Sequence, residues 1–162
     1  MKLIIRLAAV AAVILAPSAL MAAEHGEHGP DFIVLDDSPA RAKFPFSDAV
    51  RAGNTLYVAG TIGVDPKSQN DPKGPRVPDD AATEAKLAMQ EIQHVVETAG
   101  FTMDQVVSVQ VYCTDLDLYG AFNDVYRTFF HGHFPARAFI GVNKLVLGAH
   151  FEVMATAVKP RR

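Results

Sequence analysis

Two stretches of this chain carry apolar residues at helical spacing, and each lies between stretches that alternate like strands. Ala85, Ala88, Ile92, Val95 and Ala99 recur every three or four positions, and Gly100 follows as a stop. Leu118, Phe122, Val125 and Phe129 form the second stripe, which ends near Gly132 and Pro135. Between them Val107, Val109, Val111 and Cys113 alternate with Ser108, Gln110 and Tyr112. A helix with one apolar stripe must bury it, and the nearest partner is the sheet that the flanking strands form.

The remaining strands follow from the same pattern. Phe32 to Leu35 predicts a first strand, and Phe46–Val50 with Thr55–Thr61 flank the Gly53-Asn54 turn signal of a hairpin. Asp, Pro, Lys and Gly dominate residues 64–80, a loop, with Asp79 or Asp80 at the position of a helix N-cap. Thr102 and Gln105 have capping-box spacing for a single turn. Strands at Ala138–Val142 and Ala149–Val158 complete the order βββαβαββ. The expected fold is of the α/β class, an α+β two-layer domain with a six-stranded mixed sheet and both helices on one face. On the last strand Phe151, Val153, Ala155 and Ala157 alternate with His150, Glu152, Met154 and Thr156. That second face is too polar for a dry core, so a subunit partner with a pocket between chains is expected to cover it.

The N-terminus reads differently. Lys2 and Arg6 precede an apolar run from Leu7 to Ala16, Pro17-Ser18 break it, and small or apolar residues lead to Ala22 and Ala23. This is the shape of an export signal, shorter than the ~20 residues of a spanning helix. We therefore expect residues 1–23 to be a signal peptide, 24–30 a flexible leader and 31–162 the domain. A periplasmic or secreted location follows, without a membrane association after cleavage. The leader's His25, Glu27 and His28 are ordinary metal-ligand types, but a solubilising terminus is the simpler account.

Without the signal, 13 Lys and Arg face 18 Asp and Glu, an acidic balance that disfavours nucleic-acid backbones and anionic lipid. Cys113 is the single cysteine, which excludes a disulfide within the chain. It falls on the apolar side of its strand, as a small core residue rather than a nucleophile. His131 and His133 are read as solvated histidines at a helix end, and His94 as a solvated group on the polar side of the first helix. His150 shares a strand face with Glu152 by alternation, which makes it a weak candidate for a cleft role.

The strongest constellation is Phe134-Pro135-Ala136-Arg137-Ala138-Phe139-Ile140-Gly141-Val142, followed by Gly148-Ala149-His150-Phe151-Glu152. Arg137 offers a permanently charged planar fork that fits a carboxylate. Glu152, on the next strand, is able to orient a water or accept a proton. The pair suits hydrolysis of a small anionic molecule; equally, the two side chains suit a structural ion pair with each other.

From Phe44 to Pro160 the chain resembles the RidA (YjgF) family of reactive-intermediate deaminases. The resemblance rests on Phe44-Pro45-Phe46-Ser47-Asp48-Ala49-Val50 and on Gly53 through Gly63. It continues in Phe122-Asn123-Asp124-Val125-Tyr126, Phe129-Phe130, His133-Phe134-Pro135-Ala136-Arg137, and Gly148-Ala149 with Glu152. It implies a chorismate-mutase-like subunit in a homotrimer with three clefts between neighbours. It also implies hydrolysis of enamines and imines of amino acids to 2-oxo acids and ammonia, with neither metal nor organic cofactor. By the motif match Arg137 would hold the substrate carboxylate, Glu152 would activate water, and Asn123 and Ser47 would lie in or beside the cleft. Phe46, Ala138 and Phe139 depart from the family's usual hydroxyl-bearing or small residues, as do Thr61 and Met154 from the more common Gln and second acid. These departures imply a less polar, more crowded pocket, and they motivate an alternative: a non-catalytic trimer that binds a small carboxylate or hydrophobic ligand.

Overall fold

The computed structural model describes residues 29–36, 38, 41–68 and 71–160. The segment expected to be an export signal, residues 1–23, and most of the expected leader lie outside the described residues. Six strands form one mixed sheet in the order β1-β2-β3-β6-β4-β5. They are β1 (Asp31–Ile33), β2 (Ala49–Ala52), β3 (Thr55–Ile62), β4 (Val106–Cys113), β5 (Ala136–Gly141) and β6 (Phe151–Val158). All neighbours pair antiparallel except β4 and β5, which run parallel across the α2 crossover. The chain order βββαβαββ is the expected one.

Helix α1 (Ala81–Thr98) starts where Asp80 caps it, its carboxylate accepting from Thr83 N at 2.8 Å. Its buried face is Glu84, Ala85, Ala88, Met89, Ile92, Val95 and Val96, which includes most of the expected stripe. Gln105 reaches back to Thr102 N at 3.2 Å, closing the expected turn before β4. Helix α2 is shorter than the stripe suggested, Tyr119–Tyr126, and tightens into a 3-10 turn through Phe129. The first strand also ends earlier, at Ile33, and Phe46 and Ser47 precede β2 rather than belong to it.

Register decides which side chains reach the core. Ala49, Val58, Ala155, Val109 and Arg137 lie in one row across five strands. The first four are buried, so this row faces the helices. Ile62, Glu152, Tyr112 and Ile140 form another row, of opposite parity to the buried Phe151 and Val153. They face the open side, where Tyr57, Val107, Ile140 and Met154 are also exposed. Cys113 is fully buried, as expected, and burial pushes its thiol pKa up.

The contact that ties α1 to the sheet is polar. Glu84 is 0% exposed, and its carboxylate accepts from His150 N at 2.7 Å and Phe151 N at 2.9 Å. Its second oxygen takes a 2.7 Å hydrogen bond from the His150 ring at Nδ1. Gly63 passes so close that a Cβ there would collide with the Glu84 carbonyl. The expectation for His150 is corrected here: it lies just ahead of β6 and turns to the buried carboxylate instead of joining Glu152.

Removing Glu84 leaves two backbone donors without an acceptor. Glu84→Ala is expected to destabilise the fold by about 3–5 kcal/mol, and Glu84→Gln, which keeps one accepting oxygen, by clearly less. Urea denaturation checks this, and an unchanged midpoint in the alanine variant would refute the role.

Candidate active site

Gly132, at φ 109°, and Pro135 turn the chain from the end of α2 into β5, and Arg137 is the second residue of that strand. Its place in the inward-facing row carries its guanidinium along the edge of the helix layer. There it lies over the ring of Tyr126 at 4.6 Å and beside those of Tyr119 and Phe139 at 5.6 Å each. Tyr119 and Phe139 meet edge to face, which fixes both rings. Among the described residues no carboxylate is within ion-pair distance of Arg137.

The guanidinium borders a cavity of about 270 Å³ lined by Tyr119, Asn123, Tyr126, Phe134 and Arg137, among others. Arg137 Nη2 donates to Tyr119 Oη at 3.4 Å. The Asn123 side chain beside it and the Arg137 charge hold the phenol's pKa below the usual tyrosine range. Tyr126 is the opposite case: 4% exposed, with no hydrogen-bond partner for its hydroxyl among the described residues and a pKa pushed up to about 12 by burial.

Glu152 belongs to a different place. On the open face it packs over Gly60, where a Cβ would collide with its Oε1, at the irregularity that interrupts β3 between Val58 and Thr61. Within one chain Arg137 and Glu152 are therefore on opposite faces of the sheet, and the structural ion pair between them does not form. Ala138 is exposed on the same open side as Glu152, away from the arginine that precedes it. Phe139 returns to the helix side and packs on Phe122.

Phe46 and Ser47 lie beyond both. They precede β2, four strand spacings from β5, or about 19 Å at the usual interstrand distance. Phe46 is 53% exposed, and Arg41 pins its segment. The Arg41 guanidinium donates to Phe46 O at 2.9 Å and to Asp48 at 2.8 Å while stacking 4.8 Å from the Phe46 ring. Of the seven expected site residues, Arg137, Asn123 and Phe139 thus gather at the α2–β5 edge. Glu152 and Ala138 share the open face, and Phe46 and Ser47 flank the far edge.

Sequence inspection assigned no role to Arg41, Tyr119 or Tyr126. For the tyrosines a signal existed: Tyr119, Asn123 and Tyr126 sit at i, i+4 and i+7, one face of a helix. Among the described residues no three His, Cys, Asp or Glu side chains converge as a metal site.

Residues 37–159 match the family model described as Endoribonuclease L-PSP. The chain is 38% identical over 127 residues to the rat 2-iminobutanoate/2-iminopropanoate deaminase, covering 78% of this chain and 89% of that protein. The mouse deaminase is 36% identical over 115 residues, 71% of this chain and 82% of its own. Among solved structures, the Escherichia coli YjgF gene product superposes with a TM-score of 0.70 at 30% identity, covering 80% of this chain and 99% of that one. RidA from an Antarctic Psychrobacter gives 0.69 at 29% identity, covering 80% and 99%. The family-model match over most of the chain, the identity to the deaminases and the superposition on RidA structures agree: this protein belongs to the RidA (YjgF) family and has its chorismate-mutase-like fold.

Proposed function

We propose that this protein hydrolyses imines and enamines of small amino acids to 2-oxo acids and ammonia, in clefts shared between subunits of a homotrimer. The observation that carries the reading is a guanidinium seated among aromatic rings, open to a cavity and free of any described carboxylate. Such a group binds the carboxylate of a small acid. Relatives at 36% and 38% identity that are named 2-iminobutanoate/2-iminopropanoate deaminases support the substrate class.

The chemistry asks little of the protein. Water adds its oxygen to the imine carbon while the C=N π electrons move to nitrogen, which takes a proton. The C–N bond of the resulting carbinolamine then breaks, ammonia leaves, and the hydroxyl proton departs as the carbonyl forms. Glu152 is the group to accept the proton of the attacking water and return it to nitrogen. Arg137 fixes the acid end and so the direction of attack.

Opposite faces require a second copy. Arg137 and Glu152 meet only if the α2–β5 edge of one subunit packs across the open face of another. The exposed Tyr57, Val107, Ile140 and Met154 on that face fit a subunit contact. The family model's description names an endoribonuclease. An acidic chain with one such guanidinium suits a single small acid better than a polyphosphate backbone.

With 2-iminobutanoate generated in situ by an amino acid oxidase, Arg137→Ala should lower kcat/KM by about 100-fold or more, the cost of a buried charged hydrogen-bond pair. An unaffected variant would remove the mechanism. Co-expressed Arg137→Ala and Glu152→Gln chains, each inactive alone, should regain activity in mixed oligomers. Random mixing around a ring restores about a quarter of the sites, whereas no recovery would place both groups in one subunit. We also propose export, supported by Lys2, Arg6 and the Leu7–Ala16 run. Expression of the full chain should yield a periplasmic protein starting after Ala22 or Ala23 by N-terminal sequencing, and an intact cytoplasmic product would exclude it.

A further inference from the structure

The α2–β5 cavity is lined by a phenol, Tyr119, to which the deaminase reading assigns no role. A phenol offers one O–H donor and two acceptor lone pairs. The Tyr119 oxygen accepts from Arg137 Nη2 at 3.4 Å, and a guanidinium has no lone pair to accept in return. The phenol hydrogen must therefore turn away from Arg137. Tyr119 lines the cavity and is half-exposed there, so that hydrogen is available to an acceptor in the cavity.

The guanidinium supplies the second, independent observation: it lines the same cavity and has no carboxylate partner among the described residues. The Tyr126 hydroxyl on that wall is buried and does not open to the cavity. The cavity thus presents a cation without a counter-ion and, at Tyr119, an O–H free to donate. Neutral apolar ligands satisfy neither. A carboxylate, acceptor only and with about four lone-pair sites, satisfies both.

We propose that Tyr119 is a substrate-binding residue, whose O–H donates to the substrate carboxylate beside Arg137 and turns a single-cation clamp into a seat with two kinds of donor. The identity of the acid rests on the deaminase reading; the seat itself rests on the geometry. The site accordingly discriminates for the carboxylate form of 2-imino and 2-oxo acids over their amides and esters. Tyr119 donates only while protonated. The charged and titratable groups facing it are Arg137 on β5 and, on α2 and the turn after it, Tyr126 and Arg127, the latter paired with Asp124 at 3.3 Å. Burial pushes Tyr126 up to about 12 while Tyr119 lies below the usual tyrosine range, so of the two phenols Tyr119 loses its proton first as pH rises. Anion affinity then falls with increasing pH, because a donor is lost and a negative charge gained.

The test is calorimetric titration of the intact protein with 2-oxobutanoate, a product-like acid that does not react. Tyr119→Phe keeps the ring against Phe139 and Arg137, so its melting temperature should stay that of the wild type. Its affinity should fall about tenfold or more, and the alkaline decline of the wild-type affinity should disappear. Unchanged affinity, or an alkaline decline that persists in the variant, overturns the proposal, as does a wild-type protein that binds no 2-oxobutanoate. Should the variant fail to melt cooperatively, the wild type decides alone: no decline in affinity between neutral pH and 10 overturns it. The two readings fail separately. Loss of affinity in Tyr119→Phe without turnover in the wild type keeps the seat and removes the reaction; turnover with unaltered affinity keeps the reaction and removes the seat.

Discussion

A permanent positive charge in a core-facing row of a sheet is the constraint from which the site follows. Arg137 shares its row with Val109, Ala155, Val58 and Ala49, and it escapes burial only because β5 is the edge strand. The aromatic side chains on α2 and β5 take the role a carboxylate would otherwise fill. Ring faces attract a guanidinium without neutralising it, so the charge remains available to an anion. A paired arginine at this position would close the cavity to acids. The aromatic cradle thus holds the charge in place, and the Tyr119 hydroxyl makes it polar at the rim.

The second constraint is the parity of β6. Phe151 and Val153 belong to the core, so Glu152 between them must face the other way. Its setting is fixed from both ends. Glu84 gathers the two backbone N–H groups at the start of the strand, and Gly60 leaves room for the carboxylate across the sheet. A buried carboxylate with three hydrogen bonds is costly to desolvate, yet it defines the register between a helix and a strand more tightly than an apolar contact does. That register places Glu152 opposite Ile62, on a surface with enough exposed apolar area to be covered. The proposed assembly joins the α2–β5 edge of one subunit to this face of the next, each incomplete by itself.

Much of this was legible in the chain itself. Helical and alternating periods gave six strands, two helices and their order, because burial of one face imposes its period on the sequence. Asp80 as a cap, the Thr102–Gln105 turn and the buried Cys113 were readable for the same local reasons. Arg137 and Glu152 stood out as the charged residues of otherwise apolar strands, and the family motifs singled out Asn123, Ser47 and Phe46. His150 misled because alternation was extended one residue beyond the strand, where a hydrogen bond to α1 outweighs it.

The sequence alone determined the elements, the family and the cation at the candidate site, since each is written in neighbouring residues or in a local period. Only the tertiary structure decided that Arg137 and Glu152 face opposite ways, that Glu84 holds the head of β6, and that Tyr119 and Tyr126 line one cavity with Arg137. These depend on strand order and register across the sheet. Both are set by which residues from distant segments pair, and no local period records that pairing.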